Sequence, residues 1–160
     1  MRERQGRATG SRGARSQPES FGRLRVTVTD RKGYALVTVA GEVDVTTGSE
    51  LRDPLHALVE QRRHRHVVDL RDVTFLDSTG LGILVSDHRR LRDREGSLHV
   101  VCMPGIVSRV FRLTGVDRVV PVTHSIDEAE EAIAALHGEA AGRAVPVVAG
   151  DRTADQPNTA

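Results

Sequence analysis

The sequence predicts an α/β fold: a mixed, mostly parallel β-sheet of four to five strands covered by about four helices. Three observations carry this. Segments rich in β-branched residues alternate with helical segments through the middle of the chain. The first two β-rich segments are separated only by a short polar turn, which reads as a hairpin. A length of 160 residues supports a single domain with a real core.

Leu24, Val26 and Val28 alternate with Arg25, Thr27 and Thr29, the period of a half-buried strand. Asp30 to Gly33 supplies the turn, and Tyr34 to Ala40 supplies the partner strand. Thr46 and Thr47 open a helix with Leu51, Leu55, Leu58 and Val59 along one side. Pro54 belongs in a first turn, so that helix either begins at Asp53 or is distorted before it. Val67–Leu70 forms the next strand. The helix after it sets Leu81, Leu84, His88 and Leu91 on one stripe, with Arg89, Arg90, Arg92 and Arg94 outside. Leu98 to Cys102 is a further strand, and Pro104 begins a short helix with Val107, Val110 and Phe111 inward, ending near Gly115. Val119 to Val122 is the last strand. Ser125-Ile126-Asp127-Glu128 is a capping-box pattern for a final helix through Ala129, Ile133 and Leu136.

The bulk properties narrow the function. Hydrophobic residues make up only 38% of the chain, so part of it has little to bury. That part is assigned to a disordered N-terminal tail over 1–20 and a disordered C-terminal tail over 138–160, with the folded domain at 21–137. A formal net charge of +1 gives no reason to expect direct binding of nucleic acid. Cys102 is the only cysteine, which excludes an internal disulfide and suits a reducing compartment. No apolar run reaches the roughly 20 residues of a membrane span, and no apolar segment follows the N-terminal arginines. A cytoplasmic protein, a monomer or weak dimer, is expected.

The most informative stretch runs from Val67 through Asp77-Ser78-Thr79-Gly80-Leu81-Gly82. It reads as a buried strand passing through a tight polar turn into a glycine-rich helix start. Ser78 is placed at the helix N-cap, where its oxygen accepts from a free backbone N–H of the first turn. A hydroxyl there is exposed and lies at the positive end of the helix dipole, a good place to add or remove a phosphate. Asp77 is either a recognition residue or a carboxylate that holds the turn. Gly80 and Gly82 would let another protein's backbone approach Ser78. The bland alternative is a purely structural cap.

The order of elements, the Asp77–Gly82 motif and the step Gly41-Glu42-Val43-Asp44 together resemble the STAS family, within it the anti-sigma factor antagonists. The resemblance covers roughly Leu24 to Leu136. It implies a STAS fold and a switch. The unphosphorylated form would bind an anti-sigma factor that is itself a serine/threonine kinase, ATP-binding with a histidine-kinase-like fold, and so free a sigma factor. Phosphorylation of Ser78 would release that partner, and a serine phosphatase would reset the protein. The residues carried over to partner binding are Gly41, Glu42, Asp44, Asp77, Ser78, Thr79, Gly80, Leu81 and Gly82. Thr79 stands where a second serine is frequent. No cofactor and no metal are implied, and the role is not enzymatic.

Two other classes compete. A serine at a strand-to-helix turn also describes a hydrolase nucleophile elbow, but Leu76 stands where Gly-x-Ser-x-Gly requires glycine. A STAS-like domain could instead be a non-catalytic scaffold subunit of a stress-signalling complex, or a sensor of a small ligand. His64-x-His66 has no companion at metal-ligand spacing. His88 and Cys102 read as packed core residues.

Overall fold

The computed structural model describes residues 23–142. Within them, strands β1 (Arg25–Arg31), β2 (Tyr34–Val43), β3 (Arg65–Leu76), β4 (Ser97–Val101) and β5 (Val122–Thr123) form one sheet in the order β1-β2-β3-β4-β5. β1 and β2 are the expected antiparallel hairpin, turning at Lys32-Gly33; every later neighbour is parallel. Helices α1 (Gly48–Glu60), α2 (Ser78–Arg92), α3 (Ile106–Thr114) and α4 (Ile126–Gly142) alternate with the strands. The expected tail over 1–20 lies outside the described residues. So do residues 143–160 of the expected C-terminal tail, whereas α4 continues five residues past the boundary drawn at 137.

The sheet is covered on both faces, and the alternation of side chains along each strand sorts them between two cores. Val37, Val39, Val68, Leu70, Leu98 and Val100 pack against Leu51, Leu55, Leu58 and Val59 of α1, Leu81, Leu84 and Leu91 of α2, and Val107 and Phe111 of α3. On the other face Tyr34, Leu36, Val67 and Val101 pack against Ala129 and Ile133 of α4. The α2 stripe read from the sequence is the one buried, His88 included, and Cys102 is a core residue.

Several local expectations are corrected. α1 opens at Gly48 and runs through Pro54, which lies inside the helix. An internal proline costs about 3 kcal/mol. Full burial of Leu51 and Leu55 on either side of it offsets this at about 1.5–3 kcal/mol each. The segment expected as a strand from Val119 follows a 3-10 turn over Val116–Arg118, and pairing begins only at Val122. Ser125 does cap α4, accepting from Glu128 N at 3.1 Å, but the Glu128 carboxylate reaches back to His124 N, one residue before the cap. Pro104 precedes α3 by two residues, and Gly105 is the cap.

The carboxyl-terminal half of β3 departs from a regular strand. β3 pairs with β4 only over Arg65–Asp69, so its second half projects beyond the sheet and pairs with β2 alone. Along that half it accommodates an extra residue at two places, between Asp69 and Asp72 and between Val73 and Phe75. Such bulges bend a strand and re-aim its side chains. Here they leave Leu76 buried and its neighbour Phe75 exposed.

Candidate functional site

The two motifs found in the sequence meet at the carboxyl end of the parallel strands. Val43 pairs with Leu76 in the sheet, and Asp77 N donates to Val43 O at 3.1 Å. The end of β2 and the start of α2 are thereby tied together.

On the β2 side, Asp44 builds the turn into α1. Its Oδ1 accepts from Thr46 N at 2.7 Å, Thr46 Oγ1 at 2.7 Å and Thr47 N at 3.0 Å. The Thr46 hydroxyl first, then the two backbone N–H groups, hold this carboxyl below the usual carboxylate range. Thr47 Oγ1 donates to Glu42 O at 2.8 Å and accepts from Asp44 N, closing the turn. Gly41 has φ +108°, and a Cβ there would lie 2.8 Å from Arg23 O, so only glycine fits. It sits within β2 beside the second bulge of β3, not in a turn.

On the α2 side, the cap falls one residue earlier than expected. Asp77 is the N-cap: its extended backbone turns the chain, and its Oδ1 accepts from Thr79 N at 2.7 Å and Gly80 N at 3.2 Å. The carboxylate that holds the turn is therefore Asp77. Ser78 becomes the first helical residue, exposed, and its Oγ makes no hydrogen bond with a described residue. Aspartate and serine are comparable caps, so spacing alone did not separate them. The register is settled by the Val43–Leu76 pairing, which delivers Asp77 to the helix start.

The remaining motif residues divide between surface and interior. Thr79 is half-buried against α1: a Cβ placed on Gly48 would lie 3.1 Å from Thr79 Cγ2. Gly80 is buried, and a Cβ on it would lie 2.4 Å from Leu76 Cδ1 and 2.8 Å from Val43 Cγ1. Its lack of a side chain serves close packing inside the domain, not the approach of a partner. Leu81 likewise points into the core. Gly82 is exposed with open space around it, as a contact surface requires.

Two features escaped the sequence reading. The first is a set of exposed apolar side chains at this same end: Val45, Phe75, Met103 and Ile106. Phe75 follows Val73 and Thr74 and precedes Leu76, a break in strict alternation that signals the bulge. The second is a buried pair beneath α2. His66 Nδ1 lies 2.8 Å from Asp87 Oδ2, and Nε2 lies 2.9 Å from Arg63 O. Both ring nitrogens thus lie within hydrogen-bond distance of an oxygen, one of a side chain and one of the backbone. The signal was available: Asp87 sits on the buried stripe beside His88. Among the described residues no group of three or more His, Cys, Asp or Glu side chains is placed to hold a metal ion. No described helix is long and apolar enough to cross a membrane.

Comparison with known proteins places this arrangement. The family model for the STAS domain matches residues 25–129, from β1 to the first turn of α4 and across both motifs. The chain belongs to the STAS domain family. This STAS domain is 31% identical over 100 residues to the anti-sigma-B factor antagonist of Bacillus subtilis, covering 62% of this chain and 91% of that one. The crystal structure of an anti-sigma factor antagonist from Mycobacterium paratuberculosis is similar at 32% identity and a TM-score of 0.66, over 70% of this chain and 95% of that one. The anti-sigma factor antagonist SpoIIAA in its unphosphorylated form has the same fold, with a TM-score of 0.55 at 18% identity over 71% of this chain and 99% of that one. The mixed five-stranded sheet with its four helices is thus the STAS fold.

Proposed function

We propose that this STAS domain is an anti-sigma factor antagonist that changes partners by phosphorylation of Ser78. With Ser78 free, it binds an anti-sigma factor serine/threonine kinase of histidine-kinase-like fold in the cytoplasm and so liberates a sigma factor. The kinase transfers the γ-phosphate of ATP to Ser78 Oγ, leaving ADP, and the phosphorylated domain lets go. A serine phosphatase hydrolyses the ester and restores the hydroxyl. The domain acts by binding, and the catalysis belongs to its partners.

The observation that carries this reading is the separation of labour at the turn. Because Asp77 caps the helix, the Ser78 hydroxyl is exposed and has no structural duty. A phosphate there adds about −1.5 to −2 charge at neutral pH. Thr79 N–H and Gly80 N–H are already taken by Asp77, so the helix start has little left to offer the new anion. A partner packed against the turn must then accept a desolvated dianion. A penalty of only about 3 kcal/mol weakens binding roughly 100-fold. Thr79 suits the role less well, being half-buried against α1. The similarity to chains named as anti-sigma factor antagonists supports the same partner class.

The test is site mapping with purified kinases of the source bacterium and ATP. Wild type and Thr79→Val should gain one phosphate by intact mass, and Ser78→Ala none. Phosphate on Thr79, or none on any form with every kinase, refutes the reading.

A further inference from the structure

The carboxyl end of the sheet is divided by charge. The motif residues on the Ser78 side include three acidic ones: Asp77 caps α2, Asp44 builds the facing turn, and Glu42 is the penultimate residue of β2. α3, which follows the adjacent strand β4 at the same end, is opposite in character. It contains Arg109 and Arg112 and no acidic residue. Both arginines are exposed, and neither makes an ion pair with a described residue.

The same helix presents an apolar row that the core does not use. Val107 and Phe111 face inward. Ile106 and Leu113 are seven residues apart, which brings them to one side of the helix, and they are 74% and 81% exposed. Met103, in the turn before α3, is 56% exposed and extends the row. Single exposed apolar residues are ordinary on a protein surface, but two along one helix face continued by a third in the turn before it mark a contact surface. The row runs into a cleft of about 310 Å³ between α3 and the projecting half of β3, lined by Leu70, Val73, Cys102, Met103, Ile106 and Val107 among others.

Charge decides what fits. Two copies of the domain packed α3 against α3 about a twofold axis would set Arg109 and Arg112 against the same residues, a like-charge contact that association disfavours. An acidic amphipathic segment is complementary: apolar side chains for the row and the cleft, carboxylates for the two guanidinium groups. We propose that α3 and its cleft take such a segment of the anti-sigma factor kinase, and that this contact selects which kinase the domain binds. The inference rests on the partner-switching reading. It divides the docking surface in two: Ser78 reports phosphorylation, and α3 reports the identity of the partner. Because the two halves differ in charge, they also fix the partner's orientation.

The experiment measures binding of purified anti-sigma factor kinases from the source bacterium, in ADP and magnesium, by biolayer interferometry. Wild type is compared with Ser78→Glu, with Arg109→Glu/Arg112→Glu and with Ile106→Ser/Leu113→Ser. The α3 changes are all at exposed positions, and unchanged melting temperatures check that those domains fold. The arginine double variant should lose at least about tenfold in affinity at low salt, and less at high salt as exposed charges are screened. The apolar double variant should lose about tenfold at both salts. If both α3 variants bind as wild type while Ser78→Glu fails, the α3 proposal is overturned and the switch stands. If the α3 variants fail and Ser78→Glu binds as wild type, the surface stands and the switch does not. If no kinase binds wild type, both are overturned.

Discussion

Replacing Asp77 with alanine removes the carboxylate that caps α2 and leaves the exposed Ser78 hydroxyl beside it unchanged. Two backbone donors lose their partner, Thr79 N at 2.7 Å and Gly80 N at 3.2 Å. Loss of an N-cap costs about 1 kcal/mol, and loss of a negative charge at a helix N-terminus a further ~0.5 kcal/mol. Asp77→Ala should therefore lose about 1.5 kcal/mol. Asp77→Asn keeps an acceptor oxygen in place and should lose only the charge contribution, about 0.5 kcal/mol. For a domain of this size, 1.5 kcal/mol corresponds to a fall in Tm of roughly 6 °C, and 0.5 kcal/mol to roughly 2 °C. Thermal and urea unfolding followed by circular dichroism measure both. Had Ser78 been the cap, Ser78→Ala would carry the larger loss; with Asp77 as cap, Ser78→Ala should stay within about 0.5 kcal/mol of wild type. A Ser78→Ala protein less stable than Asp77→Ala would refute the division of labour at this turn.

Three further outcomes are expected from the geometry. Asp87→Ala leaves the imidazole of His66 without its side-chain partner in a site where both residues are wholly buried, and should cost about 2 kcal/mol in urea unfolding. The double change to leucine at both positions should cost less than the sum of the singles, because it leaves no orphaned group. Gly80→Ala should destabilise by about 1–2 kcal/mol although alanine is the better helix former, since its Cβ meets Leu76 and Val43 side chains in the core. Burial first holds the pKa of His88 and of His99 below the ordinary histidine value, with Arg92 adding to it at His88 and His88 at His99. The unfolded chain then binds more protons than the folded one at mildly acid pH. Stability is complete above about pH 6.5 and falls as pH drops toward the depressed folded values. His99→Leu should flatten that fall in the urea midpoint; a midpoint that rises on acidification contradicts the sign.

The parts of the fold that were legible in the sequence are those governed by one local rule. Alternation gave the hairpin strands, the 3.6-residue period gave the α2 stripe, and the order of elements gave the parallel crossovers. What stayed hidden depends on contacts between segments distant in the chain. The cap of α2 shifts from Ser78 to Asp77 because Val43 pairs with Leu76, more than thirty residues away. Pro54 looks like a helix start until the burial of Leu51 and Leu55 on either side of it is known. Gly80 looks like an opening for a partner until Leu76 and Val43 are placed against it. The exposed Phe75 and the apolar row on α3 depend on the bulges of β3 and on what the sheet leaves uncovered. At the candidate site the sequence singled out Ser78 and its neighbours, but not that Asp77, rather than Ser78, caps α2.

The most direct measurement is the affinity of one anti-sigma factor kinase for the domain before and after stoichiometric phosphorylation of Ser78, with Ser78→Ala as the reference that cannot be modified. Phosphorylation should weaken binding by roughly 100-fold, while Ser78→Ala should match the unmodified domain. Equal affinity of the two forms would contradict it.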